Sequence, residues 1–129
     1  MVSIGEHLID LEEFEKSKQL LSQGLALRKT LAPNKWNTHY CELLIGISSL
    51  GAGDVLAIEN IEIGFEKFRK AEDLDSERKS ELTIVTAERL VSIFRRLGES
   101  ESVERWQRVL DELQSGPAVE QTNWQGKIP

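Results

Sequence analysis

Apolar residues at Phe14, Leu20, Leu21, Leu25 and Leu27 repeat at helical spacing and predict a long helix from Leu11 to about Leu31. Ala32-Pro33-Asn34 ends it, because a proline disfavours helical backbone in the residue before it. The period resumes at Trp36 with Tyr40, Leu43, Leu44, Ile47 and Leu50, and Gly51-Ala52-Gly53 supplies the next turn. A fourth pattern runs through Ile58, Ile61, Phe65 and Phe68 to about Asp73, with Asp54 placed to cap it or to act as its first-turn acid. Residues 72–79 are mostly charged and read as a polar loop in preference to a solvated helix end.

From Ser80 the stripe Leu82, Ile84, Ala87, Leu90, Val91, Phe94 and Leu97 predicts a strongly buried helix. Gly98 then turns the chain into a partner helix from Glu99 to Leu113, making a hairpin. Ser115-Gly116-Pro117 breaks the pattern, which sets a helical domain at 1–115 and a flexible tail at 116–129, either disordered or docked through Trp124. At the other end, Ile4 and Leu8 share a helical face, but residues 1–8 are too few for an independent helix. The count is about five helices and no strand, an all-α chain built from antiparallel helical hairpins.

Setting Ile9, Gly53 and Gly98 in register gives intervals of 44 and 45 residues, the spacing of helical repeats and too long for a coiled-coil heptad. Phe14, Ile58 and Val103 then fall in one row and Leu21, Phe65 and Leu110 in another, seven residues on, so both rows face the same neighbour. Gly46 lies inside a helix, where glycine costs ~1 kcal/mol relative to alanine. That cost predicts close backbone packing against an adjacent helix.

The segment Gly24-Leu25-Ala26-Leu27-Arg28-Lys29-Thr30-Leu31, the turn Pro33-Asn34-Lys35-Trp36 with Thr38, the run Leu44-Ile45-Gly46 and the stretch from Gly98 to Trp106 together resemble tetratricopeptide repeats of the kinesin-light-chain type. They are also similar to the repeats found downstream of the kinase domain in bacterial serine/threonine protein kinases. The resemblance covers about residues 8 to 113. It implies a short right-handed solenoid whose concave side is lined by the first helix of each hairpin, a protein-binding or scaffolding role, and membership of a larger signalling polypeptide. The chain departs from the family at Ile9, where glycine is usual, at Phe14, where alanine is usual, and at Leu43 and Leu44, where such repeats often carry asparagine.

Charge narrows the partners. The 129 residues hold 22 acidic and 16 basic side chains, a net charge of −6, which argues against binding a nucleic-acid backbone. Residues 1–10 have no basic n-region or apolar core of signal-peptide length, and no apolar run reaches membrane-spanning length, so a cytoplasmic protein without a membrane partner is expected. Cys41 is the single cysteine, and its neighbours Leu43, Leu44 and Ile45 suggest a packed thiol.

No catalytic residues, metal ligands or cofactors are expected. His39 and Cys41 point about 160° apart on a helix, Gly51-Ala52-Gly53 lacks the lysine of a phosphate-binding loop, and no kinase signature occurs. What remains is a surface. Projecting the third first-helix at about 100° per residue puts Glu81, Val85, Glu88, Arg89, Ser92, Arg95 and Arg96 on one arc opposite the buried stripe. Arg89, Ser92 and Arg96 form a row that either holds a carboxylate or phosphate or is simply solvated.

The matching positions of the second first-helix, Tyr40, Leu44, Ile47 and Gly51, either line a groove or belong to the core. As a groove, with Val85, Arg89, Ser92 and Arg96 as its basic wall, they suit an acidic-hydrophobic protein or peptide partner. Trp36 is either a helix-start staple or a partner anchor, and Trp106 is expected to pack between helices. The alternative role is structural. Without a complete first helix the apolar face of the 11–31 helix would lie bare, and the array would cap a longer solenoid or form a homodimer.

Overall fold

Six helices account for almost all of the described chain in a computed structural model: α1 Val2–Asp10, α2 Phe14–Leu31, α3 Trp36–Gly51, α4 Ala57–Lys70, α5 Ser76–Leu97 and α6 Ser100–Gln125. Residues 2–125 are described, residues 2 and 115–125 through their backbone alone. The fold is all-α, and among the described residues no helix is long and apolar enough to cross a membrane. The helices form two compact units, Met1–Asp75 and Ser76–Pro129.

One more helix is present than the pattern expects, and the difference lies at α1. Nine residues are too few to be helical alone, so α1 depends on packing. Gly5 supplies the close fit, since a Cβ there would meet the Leu21 side chain of α2 at 2.6 Å. The Ser17 hydroxyl of α2 donates to the Gly5 carbonyl at 3.0 Å and lies 2.9 Å from the Ser48 hydroxyl of α3, which donates to the Leu44 carbonyl. This polar node is buried and fully hydrogen-bonded, so it holds three helices in one register without leaving an unsatisfied group.

Each of the three hairpins turns in the same way. After α3, Gly53 has φ +102°, its N–H bonds the Leu50 carbonyl, and the Asp54 N–H bonds the Ser49 carbonyl. After α5, Gly98 has φ +78°, with Gly98 bonding Arg95 and Glu99 bonding Phe94. After α1, Glu12 has φ 63°, with Glu12 bonding Ile9 and Glu13 bonding Leu8. These paired bonds around one left-handed residue are the Schellman helix ending. The residue equivalent to Gly53 and Gly98 is therefore Glu12, not Ile9, and the first interval is 41 residues instead of 44.

In the first unit, α3 packs between α2 and α4. The close approach expected at Gly46 is present. A Cβ there would lie 2.9 Å from Ile61 Cγ1, and across the same interface one at Gly64 would lie 3.3 Å from the Leu43 Cα. Asp54 accepts the Leu56 N–H at 3.1 Å as the chain enters α4. Trp36, Tyr40 and Phe68 form an aromatic cluster with ring centroids 5.2 to 6.4 Å apart. Cys41 is a packed thiol, buried, with its S–H 3.4 Å from the Leu21 carbonyl.

In the second unit, α5 buries Leu82, Ala87, Leu90, Val91, Ile93 and Phe94, and α6 buries Trp106 and Leu110. Trp106 packs as expected. The buried hydroxyls of Thr83 and Thr86 donate to the Lys79 and Leu82 carbonyls one turn back, so α5 keeps two polar residues in its core stripe at little cost. α5 begins at Ser76, so the charged stretch 72–79 is divided between a short loop and a first helical turn. The helix break expected at Ser115-Gly116-Pro117 is not an end of α6, whose backbone stays helical to Gln125. The expected docking of Trp124 and the last four residues of the tail lie outside the described side chains.

Candidate partner-binding groove on α3

Helix α3 is buried over most of its surface, and its neighbours decide which side is less covered. Tyr40, Leu44 and Ile47 are no more than 1% exposed. The Tyr40 hydroxyl donates to Glu6 of α1 at 2.5 Å, and Phe14 lies against Gly51. These three residues are core, so of the two readings open for them the groove wall is corrected: Tyr40 is bonded to α1, and Phe14 at the start of α2 covers Gly51.

The opposite side of α3 is less covered: Lys35 is exposed and His39, Glu42 and Ile45 are half-buried, while Gly46 and Ser49 are buried. Lys35, His39, Glu42, Gly46 and Ser49 recur at intervals of three and four residues along it, with Ile45 beside them. One wall is α4, where Leu56, Asn60, Ile63, Lys67 and Lys70 form a second stripe parallel to its core stripe of Ala57, Ile61, Gly64, Phe65 and Phe68. The other wall is α2 at Leu25. Together they enclose a cleft of about 300 Å³ over Ile45, Gly46 and Ser49. A shallower cleft over Lys35 and His39 continues it, and Lys67 lines both. From Lys35 to Ser49 the groove runs roughly 21 Å at 1.5 Å per residue.

Its two halves differ in chemistry. The half toward the α3–α4 turn is lined by the apolar Leu25, Ile45, Leu56 and Ile63 together with the polar Glu42, Ser49, Asp54 and Asn60. Leu56 is 82% and Ile63 48% exposed, an apolar surface left uncovered beside a concavity. The other half carries Lys35, Lys67 and Lys70, and among the described residues none of the three stands in a salt bridge. The acids nearby are mostly committed. Glu42 pairs with Lys29 at 3.5 Å and lies 3.4 Å from His39, and Asp73 accepts the Trp36 N–H, while Glu72 stands on the rim.

The remaining expected site residues belong to α5 of the second unit. Val85 and Arg89 are half-buried, whereas Ser92 and Arg96 are exposed, so the arc opposite the α5 core stripe stays outside the core. Arg89 and Arg96 already take part in interactions within the chain. On α2, Leu21 is covered by α1, and this corrects the bare first face on which a homodimer reading rested; Leu27 and Leu31 remain exposed.

Groove residues Ile45, Leu56, Ile63, Lys35, Lys67 and Lys70 are not singled out by the hydrophobic pattern, and Leu25 enters it only as a helix-face residue. The usable signal lies in α4, where an apolar residue recurs at Leu56 and Ile63 outside the core spacing. Among the described residues no three metal-ligating side chains cluster. Comparison of the chain with protein families, curated proteins and solved structures finds no match.

Proposed function

We propose that the chain is a protein–protein interaction module, a tetratricopeptide-like helical array within a larger signalling or scaffold protein of the cytoplasm, and that it receives a partner segment in the open groove of α3. The observation that carries the reading is the exposure of Leu56 and Ile63 along a concave cleft whose lining also includes Leu25 and Ile45. Isolated apolar residues on a surface need no partner. Here they line up with Leu25 and Ile45 on three different helices. The recurring turn at Glu12, Gly53 and Gly98 supports the repeat part of the reading, since one hairpin design used three times is what an array requires.

The test is capture from an extract of the source cells with the full chain and with an Ile63→Asp variant. Ile63 points to the groove and not to the core, so circular dichroism of the variant is expected to match the parent. A partner retained by the parent and lost by the variant supports the reading. Identical captured sets overturn it.

A further inference from the structure

The α3 groove has a direction as well as a lining, and the geometry points to one class of occupant: a peptide segment with apolar side chains at one end and a run of Asp or Glu at the other, laid along α3 with its acidic end over Lys35, Lys67 and Lys70. This deepens the proposed function and rests on it.

The direction follows from the order of residues along α4. Leu56 and Ile63 precede Lys67 and Lys70 on one stripe, so the wall changes from apolar to cationic within two turns. The floor changes in step, from Ile45 and Gly46 to His39 and Lys35. Gly46 lets α4 approach the floor closely, since a Cβ there would lie 2.9 Å from Ile61 Cγ1.

Charge complementarity selects the acidic end. In a chain of net charge −6, this end of the first unit gathers Lys35, Lys67 and Lys70, with Lys29 beside them paired to Glu42. The carboxylates of Glu42, Asp73 and Glu66 are held by internal partners, Glu62 also takes part in an interaction within the chain, and Glu72 stands at the rim. A cationic segment would meet three lysines. An uncharged apolar segment would leave them without a counter-charge. An acidic end supplies one, steers association, and sets the register of the apolar end on Ile45 and Ile63.

The probe is a displayed library of random twelve-residue peptides, selected on the full chain, with the enriched consensus then made synthetically and labelled. Enrichment of an apolar pair followed or preceded by at least two acidic residues is expected. The Lys67→Glu/Lys70→Glu variant should bind the consensus peptide at least tenfold more weakly at low salt and should itself enrich basic peptides, while Ile63→Asp should enrich neither. A nitroxide at the acidic end should broaden amide signals near Lys67 and leave those near Leu56.

Enrichment without acidic bias, a change under twofold on charge reversal, or no enrichment over Ile63→Asp would each overturn the assignment. If extract capture remains dependent on Ile63 in those cases, only the charge and direction fail. If capture is also indifferent to Ile63, the module reading fails with them.

Discussion

Asp73 reaches across 37 residues of sequence to accept the backbone N–H of Trp36 on both carboxylate oxygens, at 3.2 and 3.1 Å. The first turn of a helix has N–H groups without intrahelical partners, and a negative charge there also meets the positive end of the helix dipole. Lys35, the residue in the N-cap position of α3, makes no side-chain cap, so the cap comes from the loop after α4. This one contact ties the start of α3 to the end of α4 and seats Trp36 against Tyr40 and Phe68.

Asp73→Ala is expected to cost about 1 kcal/mol. In a unit of this size that lowers Tm by roughly 4–8 °C. Trp36 is half-buried while Trp106 is buried in the other unit, so the loss should be accompanied by a change in tryptophan near-ultraviolet circular dichroism. An unchanged Tm and spectrum would show that the cap contributes nothing in solution.

Gly46 and Ile61 make the second test. Alanine at Gly46 gains ~1 kcal/mol of helix propensity, but its Cβ would lie 2.9 Å from Ile61 Cγ1, inside the packed α3–α4 interface. Overpacking of this kind costs roughly 1–3 kcal/mol, so crowding wins and Gly46→Ala should destabilise. Trimming the neighbour should recover part of the loss. In a double-mutant cycle Gly46→Ala/Ile61→Ala, which removes the Cγ1 that the new methyl would meet, is expected to be less destabilised than the sum of the single variants, and additivity would show that the two do not touch.

The five helices after α1 were legible in the chain because their apolar residues recur at helical spacing, and Pro33, Gly53 and Gly98 mark ends among them. The first turn was not, because Glu12 occupies a left-handed position that glycine fills in the other two hairpins, and only its two backbone bonds identify it. The less covered side of α3 was not legible either. Leu43, Leu44, Ile45, Ile47 and Leu50 spread around the helix, so periodicity alone cannot tell Tyr40, Leu44 and Ile47, which are buried, from Ile45, which is half-buried and lines the cleft. Asp73 shows the same limit, since a cap from a distant loop leaves no local motif.

Equivalence of the three turns has a measurable signature. For an L-residue the left-handed conformation costs about 1–2 kcal/mol. Gly53→Ala and Gly98→Ala should therefore each destabilise by about 1 kcal/mol, and nothing lies within 4 Å of either new Cβ to add crowding. Glu12→Gly should act in the opposite sense, raising stability by about 0.5 kcal/mol once the greater freedom of glycine in the unfolded chain is subtracted. Glu12→Ala keeps the backbone strain and isolates what the side chain contributes. If Glu12→Gly destabilises while Glu12→Ala does not, the three turns are not energetically equivalent.

Cys41 gives a pH-dependent test of how tightly α2 and α3 close. Burial pushes its thiol above the ordinary value of 9.0; the Arg28 charge pulls the other way, and Glu42 adds the smallest push upward. Below 9.0 the thiol is protonated in both folded and unfolded chains, and stability does not depend on it. As pH rises past 9.0 the unfolded chain ionises first, so the preference of the core for the neutral thiol becomes a loss of stability that continues until the native thiol itself ionises. Wild type and Cys41→Ala, unfolded by urea at pH 8 and pH 10, separate this from the other groups that titrate in the same range. Wild type should lose more stability between the two pH values than the variant, and a thiol reagent at pH 8 should react with the native chain far more slowly than with the unfolded one. Equal losses in the two proteins, or a fast native reaction, would mean that the α2–α3 interface opens readily enough to wet the sulfur.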